Sequence, residues 1–278
     1  MTTVTEALRE AARRLESVSD TARLDAELLM AEALAVSRSE MLLRRAGDSV
    51  PNAFDNLVAR RLTDEPVAQI LGRKAFYGRE FRVSRDVLTP RADSETIVAA
   101  ALEAGADAVR ILDCGTGSGA LLLTLLAEWP AASGVGIDRS SAALAVAADN
   151  AARLGLADRA EMRLADWRDP RWREGLGQFE LVVANPPYVE EAADLAPSVR
   201  DYEPASALMA GPEGLDEYRI LVPQLPALLR ADSVVVLEIG ATQTEAVGAI
   251  AAAAGFRAEL RRDLAGRPRA LILRLGLV

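Results

Sequence analysis

One stretch, I-L-D-C-G-T-G-S-G-A-L at residues 111–121, narrows the range of folds more than any other part of the chain. An apolar run ends on Asp113, glycines follow at 115, 117 and 119, and a leucine-rich helical pattern begins at once. Glycine lets the backbone turn sharply and lets a ligand come close where a Cβ would intrude. A helix starting behind such a loop presents free N–H donors and the positive end of its dipole. Asp138 closes the next apolar run, 23 residues past Gly115, at a place where a carboxylate accepts from the hydroxyls of a ribose. The spacing reads as a nucleoside cofactor held at the top of a Rossmann-like sheet. Gly115, Gly117 and Ala120 also satisfy the dinucleotide pattern G-x-G-x-x-G/A, so the loop alone leaves the cofactor open.

The surrounding texture agrees with such a sheet. Short apolar segments at Val109–Asp113, Val135–Asp138, Glu161–Leu164, Phe179–Ala184, Val234–Ile239, Arg257–Arg262 and Ala270–Leu275 read as strands. Alanine-rich helices fall between several of them, as at Ser141–Leu154 and Thr242–Ala254. That alternation predicts a largely parallel sheet with helices on both faces. The last two strands are too close for a crossover and predict an antiparallel edge hairpin. Residues 4–63 differ: apolar positions recur at helical spacing, with Val4, Leu8, Ala11 and Leu15 on one stripe and Leu24, Leu28 and Leu29 on another. Asp20 or Thr21 is a candidate cap for the second of these helices, Pro51 a candidate first helical residue, and the charges between the stripes read as a solvated face. A-F-Y-G-R-E-F-R-V at 75–83 alternates around Gly78 and predicts a hairpin between two domains. The expected organisation is an all-α domain over 1–65, a β-hairpin linker over 66–84 and a catalytic domain over 85–278.

Composition removes several chemistries. Among 278 residues there is no histidine, so no Ser-His-Asp or Cys-His mechanism can operate. Cys114 is the single cysteine and Lys74 the single lysine, which leaves no disulfide, no Cys-x-x-Cys site and no P-loop lysine. No metal site is expected. Residues 1–84 carry 13 basic and 13 acidic side chains, whereas 85–278 carry 19 and 28. An acidic catalytic domain is a poor match for nucleic acid, which needs a basic footprint. No apolar run reaches the ~18–20 residues of a membrane span, and the opening residues read as the first helix of a cytosolic protein.

The second chemical signal is F-E-L-V-V-A-N-P-P-Y-V at 179–189. Proline cannot continue a strand ladder, so the apolar run stops and Asn185 is presented at its C-terminal edge, where ligands of open α/β sheets sit. The Asn185 amide oxygen and the Pro186 carbonyl become two acceptors held close together by a stiff Pro186-Pro187 backbone. Two convergent acceptors suit a planar NH2 on a conjugated system, and Tyr188 offers a face for stacking. Such a nitrogen is a poor nucleophile because its lone pair is delocalised. Accepting both of its protons returns density to nitrogen and aims it, which neither metal nor histidine needs to assist. Asp166-Trp167, after the third strand, could bind an adenine amine and cover its ring.

With these stretches the chain resembles the HemK/PrmC family, methyltransferases that modify the glutamine of peptide-chain release factors at N5. The resemblance also rests on E-P-V-A-Q-I-L-G at 65–72, F-Y-G-R-E-F-R-V at 76–83, V-L-T-P-R-A-D-S-E at 87–95, the stretch 199–218, L-E-I-G-A-T-Q at 237–243 and L-A-G-R-P-R at 264–269. It departs from the usual wording at Cys114, Thr89 and Ala92. The resemblance implies a class I methyltransferase sheet and S-adenosylmethionine as cofactor. It assigns Gly115, Thr116, Gly117, Ser118 and Gly119 to the methionine side, Asp138 to the ribose, Trp167 to the adenine, and Asn185 to both cofactor and substrate. Asn185, Pro186, Pro187 and Tyr188 would hold the substrate glutamine, with Asn185, Pro186 and Tyr188 catalytic. Residues 1–65 inherit a role in docking the release factor, and a cytoplasmic location follows, with no direct contact to nucleic acid or membrane expected. Rival readings are a ribosomal-protein glutamine methyltransferase, an adenine or cytosine N-methyltransferase on nucleic acid, a nicotinamide oxidoreductase and a non-catalytic scaffold.

Overall fold

The structure, a computed structural model, describes residues 2–105 and 108–276. It divides into two compact units: Met1–Arg73 with Leu195–Tyr202, and Lys74–Asp194 with Glu203–Val278.

The first unit contains α1 (Val4–Leu15), α2 (Ala22–Ala33), α3 (Arg38–Arg44), α4 (Ala53–Arg61) and α5 (Val67–Leu71). The stripe expected from the sequence is its core: Val4, Leu8, Ala11 and Leu15 pack with Ala26, Leu29, Met30, Met41, Phe54 and Val58. Two local expectations change. Pro51 does not open α4; its carbonyl accepts the Phe54 amide in a tighter turn, and the helix starts at Ala53. Thr21 stands at the start of α2 but its hydroxyl donates to the Asp25 carboxylate (3.1 Å) instead of capping the backbone. Nor is every charge on these helices solvated. Asp25 is buried against Arg61, whose Nε donates to it at 2.9 Å and whose Nη2 donates to the Val18 carbonyl at 2.8 Å.

The second unit opens with a hairpin of β1 (Arg73–Phe76) and β2 (Arg79–Arg82), then continues through α6 (Glu95–Ala104), β3 (Arg110–Cys114), α7 (Ala120–Glu128), β4 (Ser133–Asp138), α8 (Ser141–Arg153), β5 (Ala160–Leu164) and β6 (Phe179–Ala184). After α9 (Pro197–Arg200), which lies in the segment that belongs to the helical unit, come α10 (Asp216–Leu221), β7 (Leu229–Glu238), α11 (Thr244–Ala253), β8 (Phe256–Arg262) and β9 (Pro268–Leu275). Seven strands form one sheet in the order β5-β4-β3-β6-β7-β9-β8. The first five are parallel, and β9 runs antiparallel to both β7 and β8, forming the edge hairpin.

Strand alternation divides the core. Leu112, Cys114, Val182, Ala184, Val235 and Leu237 face one layer with α10 and α11, while Ile111, Leu181, Val183, Val234 and Val236 face α6 and α7. The α7 sequence A-L-L-L-T-L-L-A-E is apolar on nearly every side because the helix is buried. Between β3 and β6 the strand order reverses, and register sets what meets there. Cys114 pairs with Ala184 on one side and Ile137 on the other, and Asp138 pairs with Leu164. The residues that follow each strand therefore share one edge: Gly115 beside Asn185, and Asp138 beside Ala165-Asp166-Trp167.

Candidate active site

The glycine loop is shaped by backbone contacts first. Gly115 and Thr116 both donate N–H to the Ile137 carbonyl at 2.9 Å, and Gly119 donates to the Thr116 carbonyl at 2.8 Å. Gly115 has φ +78°, a left-handed value, and a Cβ there would stand 3.3 Å from Cη2 of the Trp167 indole. Gly117, at φ +54°, has nothing within 4 Å of the place a Cβ would occupy, so its outer side is open. Gly119 is the residue from which α7 departs.

Three carboxylates border this loop, in different environments. Asp138 is half-buried; its Oδ2 accepts the Gly117 amide at 3.0 Å and its Oδ1 the Ser140 amide at 2.9 Å. Asp113 is buried. Its Oδ2 accepts the Thr116 hydroxyl at 2.7 Å, while Oδ1 has no hydrogen-bond partner among the described residues. Burial pushes its acid up to about 7, the nearby Asp138 charge adds to the rise, and Thr116 and the Leu122 amide oppose it. Glu217 is buried too, accepting Trp167 Nε1–H at 2.6 Å on one oxygen and the Arg168 guanidinium on the other. The indole is thereby held in place over Gly115. Cys114 is fully buried and its thiol is pushed well above its ordinary range, which disqualifies it as a nucleophile.

A cavity of about 250 Å³ opens onto this edge. Gly115, Thr116, Gly117, Ser118, Asp138, Asp166, Trp167, Asn185 and Pro187 line it; Gly119, Pro186 and Tyr188 do not. Residues 85–88, 90 and 91, with Ser94 and Pro204, also line it. Asn185 is half-buried, and neither its side-chain amide nor the Pro186 carbonyl makes a hydrogen bond among the described residues. Tyr188 behaves differently from a simple stacking platform. Its hydroxyl donates to Glu238 Oε1 at 3.0 Å, and burial together with that carboxylate pushes it above its ordinary range. It stays protonated at neutral pH and is a donor, not a base.

These residues fit S-adenosylmethionine. The open flank of Gly117 leaves room against the loop, the Asp138 oxygens supply polar partners, and Asp138 and Asp166, beside Arg85, Arg91 and Arg139 in the same lining, suit a ligand that carries both cationic groups and a carboxylate.

Two supporting residues escaped the sequence reading. Asn150 on α8 is buried: its Nδ2 donates to the carbonyls of Ser118 (2.9 Å) and Arg82 (3.0 Å), and its Oδ1 accepts the Arg82 amide (2.7 Å). It ties the glycine loop to β2. An asparagine on the same helical face as Ala143 and Ala147 was the available signal. Gln243 bridges three backbones: its Oε1 accepts the Gly240 amide, and its Nε2 donates to the Tyr188 and Gly214 carbonyls at 3.1 Å each.

Comparison with known proteins accords with this geometry. The PrmC N-terminal domain family matches residues 6–72, and the methyltransferase domain family matches residues 106–240. The release factor glutamine methyltransferase of Cereibacter sphaeroides is 44% identical over 277 residues, covering 97% of this chain and 98% of its own length. That of Caulobacter vibrioides is 40% identical, covering 97% and 96%. Among solved structures, a methyltransferase from Pyrococcus furiosus superposes with a TM-score of 0.52 at 16% identity, over 79% of this chain and 97% of that one, a likeness of fold. No helix among the described residues is long and apolar enough to cross a membrane.

Proposed function

The chain belongs to the release factor glutamine methyltransferase family, and on that premise we propose how its site transfers a methyl group to the N5 nitrogen of a glutamine side chain. The observation that carries the reading is the placement of Asn185. It lies one residue beyond Ala184 on β6, as Gly115 lies one residue beyond Cys114 on the paired strand β3, and its amide is unengaged. Substrate amide and cofactor loop are therefore served from neighbouring strand ends.

S-adenosylmethionine, when bound, supplies an electrophilic methyl on a positively charged sulfur. Gly115 to Gly119 and the start of α7 bind it on the methionine side, Asp138 accepts from the ribose, and Trp167 covers the adenine. Asn185 Oδ1 and the Pro186 carbonyl accept the two N–H protons of the glutamine amide. That interaction lessens delocalisation of the nitrogen lone pair and fixes its direction, an effect of position and of preorganised dipoles. Pro187 stiffens the turn, and Tyr188, held by Glu238 at its hydroxyl and by Gln243 at its carbonyl, anchors it. Residues 85–278 carry 19 basic and 28 acidic side chains, a balance that disfavours a polyanion and supports a protein substrate over nucleic acid.

The substrate assigned here is the Gly-Gly-Gln glutamine of a peptide-chain release factor, and the enzyme is placed in the cytoplasm where that factor works. Residues 1–65 are assigned to docking it, 66–84 to the linker and 85–278 to the chemistry. The match of residues 6–72 supports the first of these, as do Leu42 and Leu43 of α3, which leave apolar side chains in solvent. The test is transfer of labelled methyl from S-adenosylmethionine to a purified release factor. Label is expected on the intact factor and absent when the Gly-Gly-Gln glutamine is replaced. Label found on a ribosomal protein or on nucleic acid instead would overturn the substrate. Asn185→Ala is expected to lower turnover on the order of 10²-fold while the fold persists; an unchanged rate would remove Asn185 from its role.

A further inference from the structure

Glu238 stands at the end of β7, the strand paired with β6, one residue beyond the Leu237–Ala184 pair and so level with Asn185. It is 1% exposed. Both carboxylate oxygens are committed: Oε1 accepts the Tyr188 hydroxyl at 3.0 Å, and Oε2 accepts the Ser94 hydroxyl at 2.6 Å. Its backbone carbonyl accepts the Tyr218 hydroxyl at 2.7 Å. Arg269, whose charge acts on it, spends its own hydrogen bond on Asp93 at 2.8 Å.

A carboxylate buried without a directly bound cation is costly, and an apolar residue would fill the same core position at lower cost. What an apolar residue cannot do is hold two hydroxyls from two different segments at a fixed separation. Tyr188 belongs to the turn that carries Asn185 and Pro186. Ser94 lines the cavity and precedes α6. The Tyr188 carbonyl is fixed independently by Gln243, so the residue is gripped at ring and backbone alike.

We propose that Glu238 is a positioning residue for methyl transfer: through Tyr188 and Ser94 it ties the amide-binding turn to the start of α6, where Ser94 lines the cavity. This rests on the reading of residues 185–188 as the amide-binding turn. The geometry predicts an effect on turnover and not on cofactor affinity, because none of the loop residues 115–119 bonds to Glu238.

The experiment compares Glu238→Gln, Glu238→Leu, Tyr188→Phe and the Leu–Phe double variant in the full-length enzyme, with kcat and KM for a release factor and S-adenosylmethionine affinity by calorimetry. Gln keeps an acceptor for Tyr188 and offers a donor to the Ser94 oxygen, so Glu238→Gln is expected within about 3-fold of the parent kcat. Glu238→Leu and Tyr188→Phe are each expected to lower kcat about 10-fold or more with cofactor affinity unchanged, and the double variant to lose no more than the worse single. Full kcat in Glu238→Leu, or losses that multiply in the double variant, would overturn the inference. So would a fall in cofactor affinity matching the fall in kcat, the mark of a structural role alone. If Glu238→Leu does not fold, Tyr188→Phe decides, since it removes one arm and leaves the carboxylate: unchanged kcat overturns the proposal. Asn185→Ala in the same assay separates the two levels. If it is fully active the underlying reading fails; if it is inactive while Glu238→Leu turns over normally, only the positioning role fails.

Discussion

Asp113 gives a stability prediction whose sign and size both come from the site. The carboxyl is fully enclosed, with one oxygen on the Thr116 hydroxyl and the other without a partner, and it loses its proton at about 7 instead of the ordinary 3.8. At 1.36 kcal/mol per pH unit that separation corresponds to about 4 kcal/mol. Between about pH 4 and 7 the folded protein keeps a proton that the unfolded chain has released, so stability falls as pH rises through that window. Above about pH 7 the whole cost of an ionised, buried acid is present. Asp113→Asn removes the ionisation while its amide oxygen still accepts from Thr116. The variant is expected to exceed the parent by a few kcal/mol at pH 8, and the two to converge towards pH 4, where the parent acid is neutral and nearly isosteric with the amide. Urea unfolding at several pH values, with midpoints and slopes, measures the difference directly. A difference that does not change with pH, or a parent more stable than the variant at pH 8, would refute the reasoning.

Other substitutions test the geometry around the loop. Gly115→Ala places a Cβ at φ +78° and 3.3 Å from the indole; it is expected to cost about 1–3 kcal/mol in denaturation and to weaken S-adenosylmethionine binding in calorimetry. Asn150→Ala removes three hydrogen bonds and strands the Ser118 carbonyl, an expected loss of about 2–4 kcal/mol, and a loss under about 0.5 kcal/mol would show the tie to be idle. Asp138→Ala strips the acceptor of two loop amides as well as the ribose partner, so cofactor affinity should fall about 10-fold or more; equal affinity would take Asp138 out of the site.

The central strands β3, β4 and β6 were legible because burial on both faces writes them as short apolar runs between turn residues, and six of the seven strands, the more exposed β5 and β8 included, begin and end within two residues of their expected bounds. The exception is β7, which starts at Leu229 and not Val234. Its opening residues Arg230, Ala231 and Asp232 are exposed, and Asp232 takes a left-handed φ of +64°, so no apolar pattern marks them. Contacts between residues distant in sequence left no local signal. Asp25 and Arg61 look like ordinary surface charges on their helices, and only the packing of α2 against α4, 36 residues apart, makes them a buried pair.

Polar residues at strand ends carry the site, and their chemistry diverges by surroundings more than by type. Asp113, Asp138 and Glu238 each sit at or one residue before the end of an apolar strand, in sequence contexts hard to tell apart. In the fold, Asp138 faces the cavity half-exposed and accepts from loop amides, a position that leaves lone pairs for a ligand. Asp113 is enclosed behind the loop and bonded to Thr116, so it shapes the loop from within. Glu238 is enclosed beside the amide-binding turn, where burial raises its acid and two hydroxyls are drawn to it. The parallel register that aligns Cys114 with Ala184 brings these ends to one edge. Which side of the sheet each residue faces, set by the two-residue alternation and by what lies over it, then decides whether it meets a ligand or holds the residues that do.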